Sequence, residues 1–148
     1  MTLALIILAL ILVAALLVWR KRVRDREELE RYTVSPQELA RMLKSNPDVL
    51  LLDVRLPLDL LADSTIIPGA QRIAPQEILA NPELVPQDKD AIVYCTCPGD
   101  KTSRKIIGRA LSLNFTRIKL LRGGLGAWKE NGFPVEPYTQ SFHLDTLR

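Results

Sequence analysis

The sequence is poor in soft metal ligands. It holds one histidine, His143, and two cysteines, Cys95 and Cys97. A structural zinc wants four ligands at set spacing, and a Cys-x-Cys pair with a distant imidazole does not supply them. No metal is expected. With only that pair, the chain cannot be a disulfide-stapled scaffold, and at 148 residues it is long enough to bury a core of its own. Strong charge of one sign is also missing, since the formal net charge is +3. Much of the positive charge sits at Arg20, Lys21, Arg22 and Arg24, beside an apolar run. A membrane explains a basic cluster there, so no nucleic-acid partner is inferred. Internal repeats are absent.

Residues 3–19, LALIILALILVAALLVW, lack any charge, amide or hydroxyl. At about 1.5 Å per residue they make roughly 26 Å of helix, the short end of what spans a bilayer. Trp19 closes the run where an interfacial aromatic belongs. A cleaved signal peptide wants a basic start and a small-x-small site, but Met1 and Thr2 carry no base and RKRVRDREELER follows Trp19. A buried core helix would carry polar punctuation. The spacing predicts one membrane-spanning anchor over residues 1–19. The positive-inside rule then puts everything after it in the cytoplasm. That compartment is reducing, so Cys95 and Cys97 are expected to rest as thiols.

Residues 20–34 read as a charged, solvated helical linker, 35–137 as the folded domain, and 138–148 as a tail without an assigned role. Ser35, Pro36 and Glu38 form a capping-box pattern that opens a helix carrying Leu39, Met42 and Leu43 and ending near Asn46-Pro47. VLLLDV (49–54) and AIVYC (91–95) read as buried strands, and TRIKLL (116–121) as a third. A short strand is expected at 71–73. Residues 55–68 read as irregular, ending in a turn at Pro68-Gly69. PQEILAN, SRKIIGRALSLN and GLGAWKENG read as helices, the last ending at Gly132, which suits a left-handed cap. Strands alternating with helices imply parallel βαβ units and a three-layer α/β domain. Such sheets bind ligands beyond the carboxyl ends of their strands. Cys95 and Asp53 lie at two of those ends.

VYCTCPGDKTSR (93–104) joins a strand to a helix around Cys95. A loop wrapped around a side chain at its base can aim its amides inward as an anion nest. The helix start near Thr102 adds free donors, and Lys101 and Arg104 add charge. All of these favour thiolate over thiol, which makes Cys95 a candidate nucleophile; buried core filler is the alternative. Cys97 is either a bystander or a resolving thiol. Asp53 either bonds locally, with Arg55 as its ion-pair partner, or helps order the loop. Arg55 reads as structural, and Arg104 and Lys101 as either surface cations or attractors of an anionic substrate. Trp128 and the glycines at 123, 124 and 126 read as packing and turn residues, and His143 as a surface residue.

LLDVR (51–55), IPGA (67–70), IVYC (92–95) and L-RGG-GAW-GFPV over 121–135 resemble, in order and spacing, the rhodanese family of single-domain sulfurtransferases. The resemblance covers about residues 35–137. It implies a central parallel sheet and a cysteine that takes sulfane sulfur from a donor such as thiosulfate, then passes it on from a persulfide. By matching position Cys95 is catalytic, and Thr96, Cys97, Pro98, Gly99, Asp100, Lys101 and Thr102 form the substrate loop. The implied partners are a small anionic sulfur donor and a thiol or cyanide-like acceptor, with no cofactor. The usual loop has five residues after the cysteine, ending in arginine before serine or threonine; here TCPGDK precedes Thr102, one residue more. Related phosphatases use a longer loop, but lysine lacks the planar fork that grips a phosphoryl group. Residues 56–66 lack the Glu-Phe and Gly-His common before IPGA. The alternatives are a non-catalytic module tethering a partner at the membrane, and a cysteine phosphatase.

Overall fold

The computed structural model describes residues 2–96 and 101–140. Cys97, Pro98, Gly99, Asp100 and His143 therefore lie outside the described residues. The chain divides into two units, Met1–Tyr32 and Thr33–Arg148.

The first unit is one helix, α1 (Thr2–Arg31), which joins the apolar run and the charged segment without a break. Its described side chains from Ile6 to Trp19 are apolar and exposed, and Arg20, Lys21 and Arg22 follow directly. The expected transmembrane helix needs correction. Among the described residues no helix is long and apolar enough to cross a membrane. The apolar stretch 3–19 rises about 26 Å at 1.5 Å per residue, short of a hydrocarbon core of about 30 Å.

The second unit opens with β1 (Thr33–Val34), inside the segment expected to be linker. Helix α2 (Pro36–Ser45) follows. Its capping box is formed as the sequence indicates. Ser35 Oγ accepts the Glu38 N–H at 3.2 Å, and Glu38 accepts the Ser35 N–H at 2.8 Å. β2 (Leu50–Asp53) leads to α3 (Pro57–Ala62), then β3 (Thr65–Ile66), β4 (Gln71–Arg72) and α4 (Pro75–Ala80). After β5 (Ala91–Tyr94) come α5 (Lys101–Ser112), β6 (Ile118–Leu121), α6 (Gly124–Glu130) and β7 (Glu136–Pro137).

Five parallel strands form the main sheet in the order β1-β6-β5-β2-β4. β5 is central and every residue in it is buried. A continuous apolar run is what a strand covered on both faces requires. On one face Leu51, Ile92, Tyr94 and Leu121 pack with Leu39 of α2 and with Leu125 and Trp128 of α6. Period-two alternation sends Leu52 and Val93 to the other face, where α5 packs on β6 and on α4. This is the expected three-layer α/β architecture. A separate antiparallel pair, β3 with β7, ties Thr65 to Pro137 and Ile66 to Glu136.

The segment 55–68, read as irregular, contains α3 and β3. Pro57 supplies a helical first position, and Asp59 Oδ2 accepts the Leu56 N–H at 3.3 Å. The turn at Pro68-Gly69 is present, with Gly69 at φ +80°.

Candidate active site

Cys95 directly follows β5, the central strand, at the carboxyl edge of the sheet. It is fully buried. Its backbone is held from the neighbouring strand's continuation. Leu125 in the first turn of α6 donates its N–H to the Cys95 carbonyl at 3.1 Å. That approach requires glycine at 124. Gly124 has φ +55°, and a Cβ there would collide with the Cys95 carbonyl oxygen. Gly123, at φ +69°, starts the same turn. Both are the turn residues that the sequence suggests. The contact with Cys95 gives Gly124 a second job, which a strand-to-helix turn pattern alone does not reveal.

Tyr94 is locked beside the cysteine. Its hydroxyl donates to Asp53 Oδ2 at 3.1 Å and accepts the Ile67 N–H at 3.3 Å. β2 and β5 are in register with Asp53 opposite Tyr94. Burial pushes the Tyr94 hydroxyl far above its ordinary pKa, with the Asp53 charge adding to it, so it stays a neutral donor. Sequence reasoning misses this role because IVYC looks like one apolar run. A buried tyrosine needs a hydrogen-bond partner for its hydroxyl, and that need is the available signal.

Asp53 and Arg55 are both fully buried and form a multiply bonded pair. Arg55 Nη2 donates to Asp53 Oδ2 at 2.6 Å, and Nε reaches both carboxylate oxygens at 2.9 Å. The guanidinium also donates to the carbonyls of Asp63 at 2.7 Å and Thr65 at 2.6 Å. Burial alone would lower the Arg55 pKa. The hydrogen bond and charge of Asp53 outweigh it and hold Arg55 above its ordinary value. This network fastens the segment carrying α3 and β3 to the end of β2. Its link to the cysteine runs through the Asp53–Tyr94 bond, one residue before Cys95.

The loop ends differ in exposure. Lys101 and Arg104 are exposed, and Thr102 is half-buried. Their charges are therefore available at the surface where α5 begins. Two hydroxyls here are buried without a hydrogen-bond partner, Thr96 Oγ1 and Ser103 Oγ. Among the described residues no cluster of histidine, cysteine or carboxylate groups is placed to hold a metal.

The chain has relatives of similar sequence and fold. A sequence profile described as Rhodanese-like domain matches residues 35–131. A protein named sulfurtransferase from Allochromatium vinosum is 28% identical over 69% of this chain and 92% of its own length. The crystal structure of a full-length protein from Lactobacillus plantarum superposes with a TM-score of 0.66 at 21% identity. It covers 80% of this chain and 98% of that one. The crystal structure of a rhodanese-related protein from Thermoplasma volcanium gives a TM-score of 0.57 at 25% identity, over 70% of this chain and 96% of that one.

Proposed function

The chain belongs to the rhodanese-like domain family, and on that premise we propose that it is a sulfurtransferase working through a persulfide on Cys95. The Cys95 thiolate attacks the outer sulfur of thiosulfate or of another persulfide. With thiosulfate a Cys–S–S bond forms, the S–S bond of the donor breaks, and sulfite leaves with the electron pair. A thiolate or cyanide then takes the outer sulfur and returns Cys95 as thiolate. The charge balances in each half, so no redox partner or cofactor is called for.

The observation that carries this reading is Cys95 at the carboxyl end of the central parallel strand. Ligands of open α/β sheets bind at that edge. The first turn of α5 holds no acidic residue and begins with Lys101. The free amides of a helix start favour a bound anion there. Thr96, Lys101 and Thr102 line the approach in this reading, with Arg104 at the rim. Asp53, Arg55 and Tyr94 brace the strand ends and do not touch sulfur.

Treatment with thiosulfate is expected to add one sulfur atom to the intact mass, and cyanide is expected to release it as thiocyanate. Cys95→Ser abolishes both. Retention of the biological role in Cys95→Ser would instead favour a binding module. Release of phosphate from an aryl phosphate without any thiocyanate would favour a phosphatase.

The proposal extends to location. The apolar side chains of α1 are exposed on every side over 6–19, and a basic cluster follows. Both features suit a helix whose apolar side chains enter a membrane surface while its basic end meets anionic headgroups, and a domain facing the cytoplasm is part of the same proposal.

A further inference from the structure

Two exposed cations of the domain have found acids. Arg117 pairs with Asp90 at 3.0 Å, and Lys129 with Asp63 at 2.8 Å. The outer face of α5 differs. Lys101, Arg104, Lys105 and Arg109 are all exposed, and the helix holds no acid. At 3.6 residues per turn the four fall within an arc of about 140°, opposite the buried Ser103, Ile106, Ile107 and Ala110. α4 packs against α5 and carries one acid, the exposed Glu77. Among the described residues no ion pair joins Glu77 or any other carboxylate to these four cations.

Every feature of that face is locally unfavourable. Lys101 opens the helix at the end where the backbone dipole is positive. Lys101 with Lys105, and Lys105 with Arg109, set like charges one turn apart, which destabilises a helix. Gly108 lies on the same face in open space. A glycine inside a helix is destabilising against alanine, and nothing in the chain's own packing asks for it. Broken local rules gathered on one surface point to function. The stripe runs about 12 Å from Lys101 to Arg109. Thiosulfate is smaller than that and meets only the Lys101 end. Lys105 and Arg109 fit something extended and acidic. From Lys101 to Arg109 no apolar side chain is exposed. A membrane-binding helix adds apolar anchors to its cations, whereas complementary charge alone suits a folded acidic partner. Gly108 leaves the middle of the face open to that partner's backbone.

We propose that the exposed face of α5 docks an acidic protein whose cysteine thiol accepts the sulfur carried by Cys95. This rests on the sulfur-transfer reading and names the acceptor's chemistry. α5 starts at Lys101, six residues after Cys95, so a partner seated along the helix has one end beside the nucleophile. Its thiolate attacks the outer sulfur of the Cys95 persulfide. A new S–S bond forms, and the old one breaks with its electron pair on Cys95 Sγ. The partner leaves as a persulfide, and Cys95 returns as thiolate.

The test loads the full chain from thiosulfate and offers it a cysteine peptide bearing a run of glutamates, or the same peptide with glutamines. Sulfur gained by each peptide is read by mass. The glutamate peptide is expected to gain sulfur about tenfold faster at low salt, with the preference lost at high salt. The variant Lys105→Gln with Arg109→Gln is expected to lose most of that preference while thiocyanate formation from cyanide stays unchanged. Its Tm is expected to hold or rise, because like charges leave the helix. Equal rates on the two peptides in the unaltered protein, or a preference that survives in the variant, overturns the proposal. So does a variant that binds phosphatidylserine vesicles more weakly yet treats the peptides as the unaltered protein does, since the face then meets headgroups. If the unaltered protein takes no sulfur from thiosulfate, sulfur transfer fails as a reading. Calorimetric titration of the glutamate peptide into the unaltered and variant chains then still decides whether the face binds acid.

Discussion

At φ +55° Gly124 occupies the left-handed region, and its Cα packs on the backbone of Cys95. Two penalties meet there in any substitution. An L-residue at positive φ is strained by about 1–3 kcal/mol, and a Cβ would press on a carbonyl that cannot move without dragging Cys95. Gly124→Ala is therefore expected to cost about 3 kcal/mol or more of stability and to lower thiocyanate formation at least tenfold. Gly126 is the internal control. It lies in the same helix with open space where an alanine methyl would sit, so Gly126→Ala should leave both readouts near wild type. Urea unfolding of the two variants alongside the cyanide assay decides the matter. Equal behaviour of the pair would mean that the approach of α6 to Cys95 does not hold the site. The Asp53–Arg55 pair shows the same kind of coupling in polar form. Its two ions tolerate burial because they bond each other and the guanidinium also reaches two carbonyls.

At the scale of elements, the parts that sequence patterns reveal are those whose signals are local. The capping box at Ser35 and Glu38, the apolar strands β2 and β5, and the glycine at 132 with φ +74° each carry their own chemistry within a few residues. β1, β3 and β7 are not legible, because each is a pair of residues made into strand by a distant partner. α3 is not legible either, although α4, equally short and also opened by a proline, is. The site divides along the same line. Cys95 at a strand end is readable, but Gly124 and Tyr94 matter through contacts with residues far away in sequence. The short elements are fastened by long-range polar contacts, and one of them titrates. Asp63, which ends α3, accepts from Lys129 of α6 at 2.8 Å and from Thr65 Oγ1 at 2.6 Å. Burial would raise its pKa, but the Lys129 and Thr65 hydrogen bonds outweigh it and lower the carboxyl to about 2. A carboxyl depressed on folding stabilises fully above its unfolded pKa of about 3.9. That stability fades as pH falls toward 2. Asp63→Asn is thus expected to be less stable than wild type at pH 6, with the gap closing between about pH 4 and pH 2. Denaturant titrations across that range check the sign. A gap that stays constant with pH would mean the carboxylate's charge contributes nothing.

The whole molecule is two units with different surfaces, and the boundary between them can be placed to a residue. α1 ends at Arg31, while Thr33 and Val34 pair with Leu120 and Leu121 of the main sheet. Val34 is buried, and its carbonyl accepts the Arg122 N–H at 2.9 Å. Removing residues 1–32 therefore takes away no strand of the sheet. Removing 1–34 deletes an edge strand, unpairs the Arg122 amide beside the turn that supports Cys95, and exposes what Val34 covered. The shorter deletion is expected to keep Tm and thiocyanate formation within about twofold of the full chain. The longer one should lose about 2–3 kcal/mol, the burial of one valine plus a ladder bond. The same pair tests attachment. The apolar side chains of α1 leave with residues 1–32, so both deletions should move from the membrane fraction to the supernatant, while the full chain resists extraction at high salt. High salt releases a protein held by its basic cluster alone, because screened charges lose their hold within about a Debye length. Retention of the 33–148 fragment on membranes would place the attachment in the domain itself and remove α1 from that role.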